Sequence, residues 1–352
     1  MGPGEDLFDF MAENLLRFLK DHDLLGRRLH LGFTFSFPTR QRGLARAELA
    51  TWTKGYICRG VEGEDVVALL EAAIAKIPEL DIVVDALLND TTGCLLACAY
   101  KRPDCAIGII LGTGTNASYV EDIDMVEMWE GERPAGARQV VINTEWGAFG
   151  SGEKGPLDMV LTPYDLLLDR QSVNPGRQYY EKLISGMYLG EIARLVIIDA
   201  VKKGVLFGGR PQPELMKQHA FQTRYISEIE AAPTRDDFEN LEAIMAELEV
   251  VGYTEFDLRI IRYICECVSC RAAGLAGAGV ASLVNKVARR KVTVGMDGSL
   301  YKFHPFLGER IRATVRRLVP ECIEFDTVLS EDGSGRGAAL VAAVAQKKRH
   351  QQ

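Results

Sequence analysis

The chain has 352 residues, 47% of them hydrophobic, enough to bury a sizeable core and to divide into two domains or lobes. Its 49 acidic and 41 basic side chains leave a net charge of −8, which argues against nucleic acid as the main partner and means that any nucleotide site must create its own local attraction. No apolar run approaches the roughly 20 residues that cross a bilayer, and the opening Met-Gly-Pro-Gly-Glu-Asp has neither the basic and apolar regions of a secretory leader nor a myristoylation pattern, so a cytoplasmic protein is expected.

Asp6 to Asp23 carries Leu7, Phe8, Met11, Leu15, Phe18 and Leu19 at helical spacing, an amphipathic helix. His30 to Phe37 alternates, with Leu31, Phe33, Phe35 and Phe37 on one side, and predicts a strand that Pro38 ends. A helix over 65–77, a strand over 81–88 and a helix starting at Thr91 follow. Cys105 to Leu111 and Ala117 to Val120 flank a Gly-Thr turn like a hairpin, and Gln139 to Asn143 is a further strand. Residues 162–275 read as mainly helical, with breaks near Pro211 and Pro233. A strand at 291–295, a helix at 305–318, a strand at 322–329 and an alanine-rich helix over 337–347 close the chain. Alternating strands and helices favour an α/β architecture.

Two stretches carry chemistry. Asn89-Asp90 ends an apolar strand, where α/β proteins place ligands. Leu111-Gly-Thr-Gly-Thr-Asn116 ends another, and its backbone N–H groups and hydroxyls suit a phosphate. From the residues alone Asp90 has two readings, a general base or the cap of the helix starting at Thr91. The Gly-Thr turn likewise reads as a phosphate loop or an ordinary hairpin turn. Cys265, Cys267 and Cys270 invite a zinc reading, but no second Cys or His pair completes a site, so no metal is expected on protein ligands. The tail Lys347-Lys-Arg-His-Gln-Gln reads as a solvated terminus.

These stretches belong to an ordered series. It runs Leu31-Gly-Phe-Thr-Phe-Ser-Phe-Pro38, Trp52-Thr-Lys-Gly55, Asn89-Asp90-Thr91, Leu111–Asn116, Asn143-Thr-Glu-Trp-Gly-Ala-Phe-Gly150, Asn174-Pro-Gly-Arg-Gln-Tyr-Tyr-Glu-Lys182, Val294-Gly-Met-Asp-Gly-Ser-Leu-Tyr-Lys302 and Ser330-Glu-Asp-Gly-Ser-Gly-Arg-Gly337. In that order the chain resembles the eukaryotic hexokinase family over nearly its whole length. The resemblance implies an actin-like (ribonuclease H-like) fold of two lobes around a cleft. The small lobe would be 1–89 with the terminal helix over 333–352, and the large lobe 90–332.

The resemblance also implies transfer of the γ-phosphate of ATP, with Mg²⁺, to the 6-hydroxyl of glucose or a related hexose. Asp90 would be the general base. Ser36, Phe37, Thr53, Lys54, Asn89, Asp90, Asn116, Glu145, Gln178 and Glu181 would bind the sugar, donor and acceptor types that hexose hydroxyls require. Taken singly, Lys54, Glu145 and Glu181 also read as solvated charges. For the nucleotide the family pattern falls on Gly112, Thr113, Gly186, Met187, Gly298, Ser299 and Lys302, and on the helix near Cys270, where relatives commonly carry threonine. One family element, a first phosphate loop of the form Leu-Asp-x-Gly-Gly-Thr-Asn-x-Arg, has no counterpart in the 352 residues, so the small lobe is expected to be N-terminally shortened. A loop of that kind positions Mg²⁺ and phosphates, so its loss leaves a second expectation, a sugar-binding or regulatory protein on the same scaffold.

Overall fold

A computed structural model describes residues 2–129, 133, 136–152 and 155–349. The elements run α1 (Gly4–Asp21), β1 (Leu29–Thr34), β2 (Thr39–Gly43), β3 (Arg46–Leu49), α2 (Val66–Ala75), β4 (Ile82–Leu88), α3 (Asp90–Lys101), β5 (Cys105–Leu111), β6 (Thr115–Asp122) and β7 (Gln139–Asn143). They continue with α4 (Pro163–Gln171), α5 (Tyr179–Ile184), α6 (Leu189–Lys202), α7 (Pro213–Met216), α8 (Thr223–Glu230), α9 (Glu239–Glu247), α10 (Glu255–Val287), β8 (Lys291–Asp297), α11 (Ser299–Phe303), α12 (Leu307–Leu318), β9 (Glu324–Leu329) and α13 (Gly333–Arg349). The chain packs as two compact units. The first comprises Met1–Ile109, Ala117–Asn143 and Ser330–Gln352, and the second Ile110–Asn116 and Thr144–Leu329.

In the first unit β1 lies parallel to β4, from Leu29 opposite Ile82 to Thr34 opposite Leu88. The alternating Leu31, Phe33, Phe35 and Phe37 pack into one core with Phe8, Leu70, Val84 and Leu87. The regular strand stops at Thr34, three residues short of the sequence expectation, although the Phe35 N–H still donates to the Leu88 carbonyl at 2.9 Å. The β2–β3 hairpin was not legible, because Thr39-Arg-Gln-Arg-Gly has a polar loop composition and pairs through its backbone.

Helix α13 explains its own glycine and alanine content. A Cβ on Gly337 would lie 2.0 Å from the Gly93 carbonyl oxygen, and one on Gly32 would lie 2.1 Å from that of Ala338, so α13 presses its backbone against both α3 and β1. A Cβ on Gly108 of β5 would similarly meet the Thr91 carbonyl of α3 at 2.5 Å. This packing holds α3 in the first unit, whereas the family resemblance puts the lobe boundary between Asn89 and Asp90. Beyond α3, β7 pairs antiparallel with β6 from Asp122 opposite Gln139 to Ser118 opposite Asn143.

The second unit is mostly helical around α10, whose N-terminus carries a reciprocal Thr254–Asp257 capping box. At 33 residues α10 is long and apolar enough to cross a membrane, a length the sequence reading did not assign to any run. Half of its most apolar window is buried, and it packs on α5, α6, α8 and α12. Gly277 permits that approach, since a Cβ there would lie 2.6 Å from Thr314 Cβ on α12. Cys265 is buried while Cys267 and Cys270 are exposed, so α10 turns these thiols to different sides. β8 and β9 pair in parallel from Lys291 opposite Glu324 to Met296 opposite Leu329.

Candidate active site

In the first unit the candidate residues sit on strand ends and turns. The Asn89 side chain caps α3 by accepting from the Thr91 N–H at 3.0 Å, which leaves Asp90 as the first helical residue rather than the cap. One Asp90 oxygen also accepts from the Thr91 N–H, at 2.8 Å, and so is oriented by the helix start. The fully buried Thr91 hydroxyl bonds to Asn89 Oδ1 at 2.7 Å and to Ser118 Oγ on β6 at 2.5 Å, anchoring this corner to the neighbouring strand. Thr91 stands in a sequence motif, but its bond to Ser118 is not legible there, because a Thr–Ser pair 27 residues apart leaves no local pattern.

Ser36 and Phe37 follow β1, and Lys54 returns to them. Its ammonium donates to the Ser36 carbonyl at 2.8 Å and lies 5.4 Å from the Phe37 ring centroid. Lys54 is therefore engaged with the candidate sugar segment rather than simply solvated. Thr53 to Tyr56 forms a tight turn with Lys54 at φ 56° and Gly55 at φ 77°, closed by the Tyr56 N–H on the Thr53 carbonyl at 3.1 Å. Edge-on contacts of Phe37 with Trp52 (4.7 Å) and Tyr56 (5.2 Å) hold the turn, and Glu62 accepts from the Trp52 N–H at 2.7 Å.

In the second unit the turn after β5 is the organising element. Glu181 is buried and accepts from the Thr115 N–H at 2.9 Å, and the Trp146 indole donates to the Thr115 hydroxyl at 3.0 Å. The Asn116 amide donates to Glu145 Oε1 at 3.0 Å, so neither carboxylate is a solvated surface charge. Glu145 and Gln178 both adopt the left-handed conformation, at φ 50° and 56°, one opening a 3₁₀ turn and the other opening α5. Both are non-glycine residues in a sparsely populated region, which costs about 1–3 kcal/mol each and marks positions that the surroundings dictate. A Cβ on Gly147 would fall 2.6 Å from Gln178 Oε1, so the glycine lets that amide lie against its backbone.

The other end of the same turn enters the expected nucleotide region. The Gly186 N–H donates to the Gly112 carbonyl at 2.7 Å and the Met187 N–H to the Thr113 carbonyl at 3.1 Å. Gly298, at φ 107°, lies so close that a Cβ would stand 2.4 Å from the Leu111 carbonyl oxygen. Three backbone segments thus converge, and beside them opens a cavity of about 620 Å³ lined in part by Thr113, Gly186, Met187 and Ser299. Gln222, Thr223, Arg224 and Ser227 line it too, polar residues the sequence reading missed because 222–228 has no recognisable motif. Lys302 lies on α11 with its ammonium 5.4 Å from the Phe303 ring, and neither it nor Cys270 is among the lining residues.

Behind the sugar candidates lies a buried ion pair, Lys182 Nζ to Asp169 Oδ1 at 2.6 Å. Burial draws the Lys182 ammonium below its ordinary pKa, opposed by the hydrogen bond to Asp169. Burial likewise pushes the Tyr188 hydroxyl up to about 12, and that hydroxyl has no hydrogen-bond partner among the described residues. Of the basic tail, His350 to Gln352 lie outside the described residues, while Arg349 pairs with buried Asp85 at the end of α13.

A family model described as Hexokinase matches residues 106–344, and another with the same description matches residues 1–100. The hexokinase of Schistosoma mansoni is 46% identical over 342 residues, 97% of this chain and 74% of that protein. Hexokinase-2 of Equus caballus is 44% identical over 352 residues, 98% of this chain but 37% of that protein. Among solved structures, the Schistosoma mansoni hexokinase complexed with glucose superposes with a TM-score of 0.91 at 46% identity, covering 98% of this chain and 76% of that one.

Proposed function

The chain belongs to the hexokinase family and has that family's α/β, actin-like ATPase fold, and from this premise we propose that it transfers the γ-phosphate of ATP to the 6-hydroxyl of a hexose, with glucose as the first candidate. The observation that carries the reading is the turn Leu111–Asn116. Its Thr113 end lines a cavity of nucleotide-accommodating size, and its Asn116 end is hydrogen-bonded to the candidate sugar carboxylate Glu145. Three residues of chain span at most about 11 Å, so donor and acceptor sites on this turn are near neighbours, as phosphoryl transfer requires.

In this mechanism Asp90 accepts the proton of the attacking hydroxyl. Ser36, Phe37, Thr53, Lys54, Asn89, Asn116, Glu145, Gln178 and Glu181 select and orient the hexose through its hydroxyls. Thr113 and the backbone around Gly112, Gly186 and Gly298 face the phosphates, with Met187 and Ser299 beside the nucleotide. The cavity lining fits a polyphosphate through its side chains, since Thr113, Thr223, Ser227 and Ser299 bring hydroxyls and Arg224 a cation, whereas the Gly186 and Gly298 N–H groups are spent on the Gly112 carbonyl and on Asp297 Oδ1. Among the described residues no group of three His, Cys, Asp or Glu side chains could cage a metal. Mg²⁺ would be held by the nucleotide's own phosphates, whose charge it would neutralise.

The test is glucose 6-phosphate formation by the purified protein with glucose and MgATP, run beside Asp90→Ala. Turnover that falls roughly 10²–10⁴-fold in the variant supports the reading. Absence of turnover in a folded protein that nonetheless binds glucose would refute it.

A further inference from the structure

We propose that Lys182 is a positioning residue for the candidate sugar contact Gln178, holding the Asn174–Gln178 loop from beneath by three hydrogen bonds; the functional part of this inference rests on the hexose reading above. The Lys182 side chain is 3% exposed. An ammonium has three N–H donors, and here each has an acceptor: Asp169 Oδ1 at 2.6 Å, the Asn174 carbonyl at 2.8 Å and the Arg177 carbonyl at 2.8 Å. The last of these fixes the peptide that joins Arg177 to Gln178, where the backbone turns left-handed to start α5.

Asp169 completes the clamp from the other side. Its two oxygens accept from the Gly176 N–H at 3.0 Å each, and Oδ2 also accepts from the Tyr179 hydroxyl at 3.1 Å. One buried cation and one buried carboxylate thus grip loop backbone at 174, 176 and 177. Desolvating two charges is costly, and the charge pair is retained where its hydrogen bonds specify a single arrangement. Helix α4, which supplies Asp169, is itself held by Asp165 in a two-pronged pair with Arg271 on α10 at 2.7 Å per bond. The clamp therefore stands on a rigid base, and Gln178 at its tip inherits that rigidity.

The test combines Lys182→Met and Lys182→Arg with two readouts. One is amide exchange of residues 174–178 in the sugar-free protein, and the other is separate titration with glucose and with a non-hydrolysable ATP analogue. Lys182→Met should accelerate exchange at Gly176 and Arg177 at least tenfold and weaken glucose binding about tenfold, with nucleotide binding unchanged. Lys182→Arg should recover part of both losses. Unchanged loop exchange, or equal loss of glucose and nucleotide binding, overturns the proposal. Should Lys182→Met not fold, Tyr179→Phe removes one hydroxyl from the clamp, and a two- to threefold weakening of glucose binding alone is then the supporting result, no change the opposing one. A parent chain that binds no glucose refutes the hexose reading, and the exchange readout still decides whether Lys182 holds the loop.

Discussion

The two units hold their candidate residues in different ways. In the first, Asn89 and Asp90 are set by bonds to a neighbour one or two residues away, the Thr91 N–H. In the second, Glu181 reaches Thr115 from 66 residues away, and Gly298 lies against Leu111 from farther still. A side chain set only by the next peptide, as Asp90 is, can be lost with little structural consequence. A site built from distant backbone segments moves as a whole when one of them is displaced.

Mutations test that contrast. The largest effect is expected for Asp90→Ala, a roughly 10²–10⁴-fold fall in turnover with the melting temperature nearly unchanged, because Asn89 still caps α3. A melting shift as large as that of a cap deletion would show that Asp90 is structural. Next comes Gly298→Ala, in which the new methyl clashes with the Leu111 carbonyl at a φ of 107°. It should cost about 2 kcal/mol by denaturant unfolding and raise the KM for ATP more than that for glucose. Asn89→Ala should cost about 1 kcal/mol, the usual value of an N-cap, and would separate capping from any sugar contact through a glucose titration at matched stability.

The smallest effect at neutral pH belongs to Tyr188→Phe, which deletes a buried hydroxyl without a partner among the described residues and should be neutral or stabilising by up to about 1 kcal/mol. The same variant has a pH signature. With the Tyr188 hydroxyl pushed up to about 12 from 10.0, the folded state keeps a proton that the unfolded chain releases. Stability is therefore fully present below pH 10 and declines between about 10 and 12. Unfolding curves of Tyr188→Phe across that range should fall less steeply than those of the parent, and parallel curves would contradict the assignment.

Local signals carried much of the fold into view. The Phe33-x-Phe35-x-Phe37 alternation marked a core strand face, and the apolar run 81–88 marked β4. What stayed hidden follows from backbone pairing and long-range approach. The β2–β3 hairpin has no apolar face to announce it, and α10 was longer than any apolar run suggested because ion-paired Arg259 and Arg271 interrupt its composition but not its helix. Family motifs named the candidate residues and included Thr91 and Lys182 without a role, but they passed over Ser118 and Asp169, the distant partners that hold them.

The α/β alternation, the family and the identities of the candidate side chains are all legible in the linear chain, since they reside in residue type, order and short-range spacing. It takes the folded chain to show that Glu145 and Glu181 are bonded within the second unit, that Asn89 rather than Asp90 caps α3, and that Lys182 is enclosed by three acceptors. Those facts depend on which distant backbone groups arrive beside a side chain, and close packing of the folded chain settles that rather than any local preference.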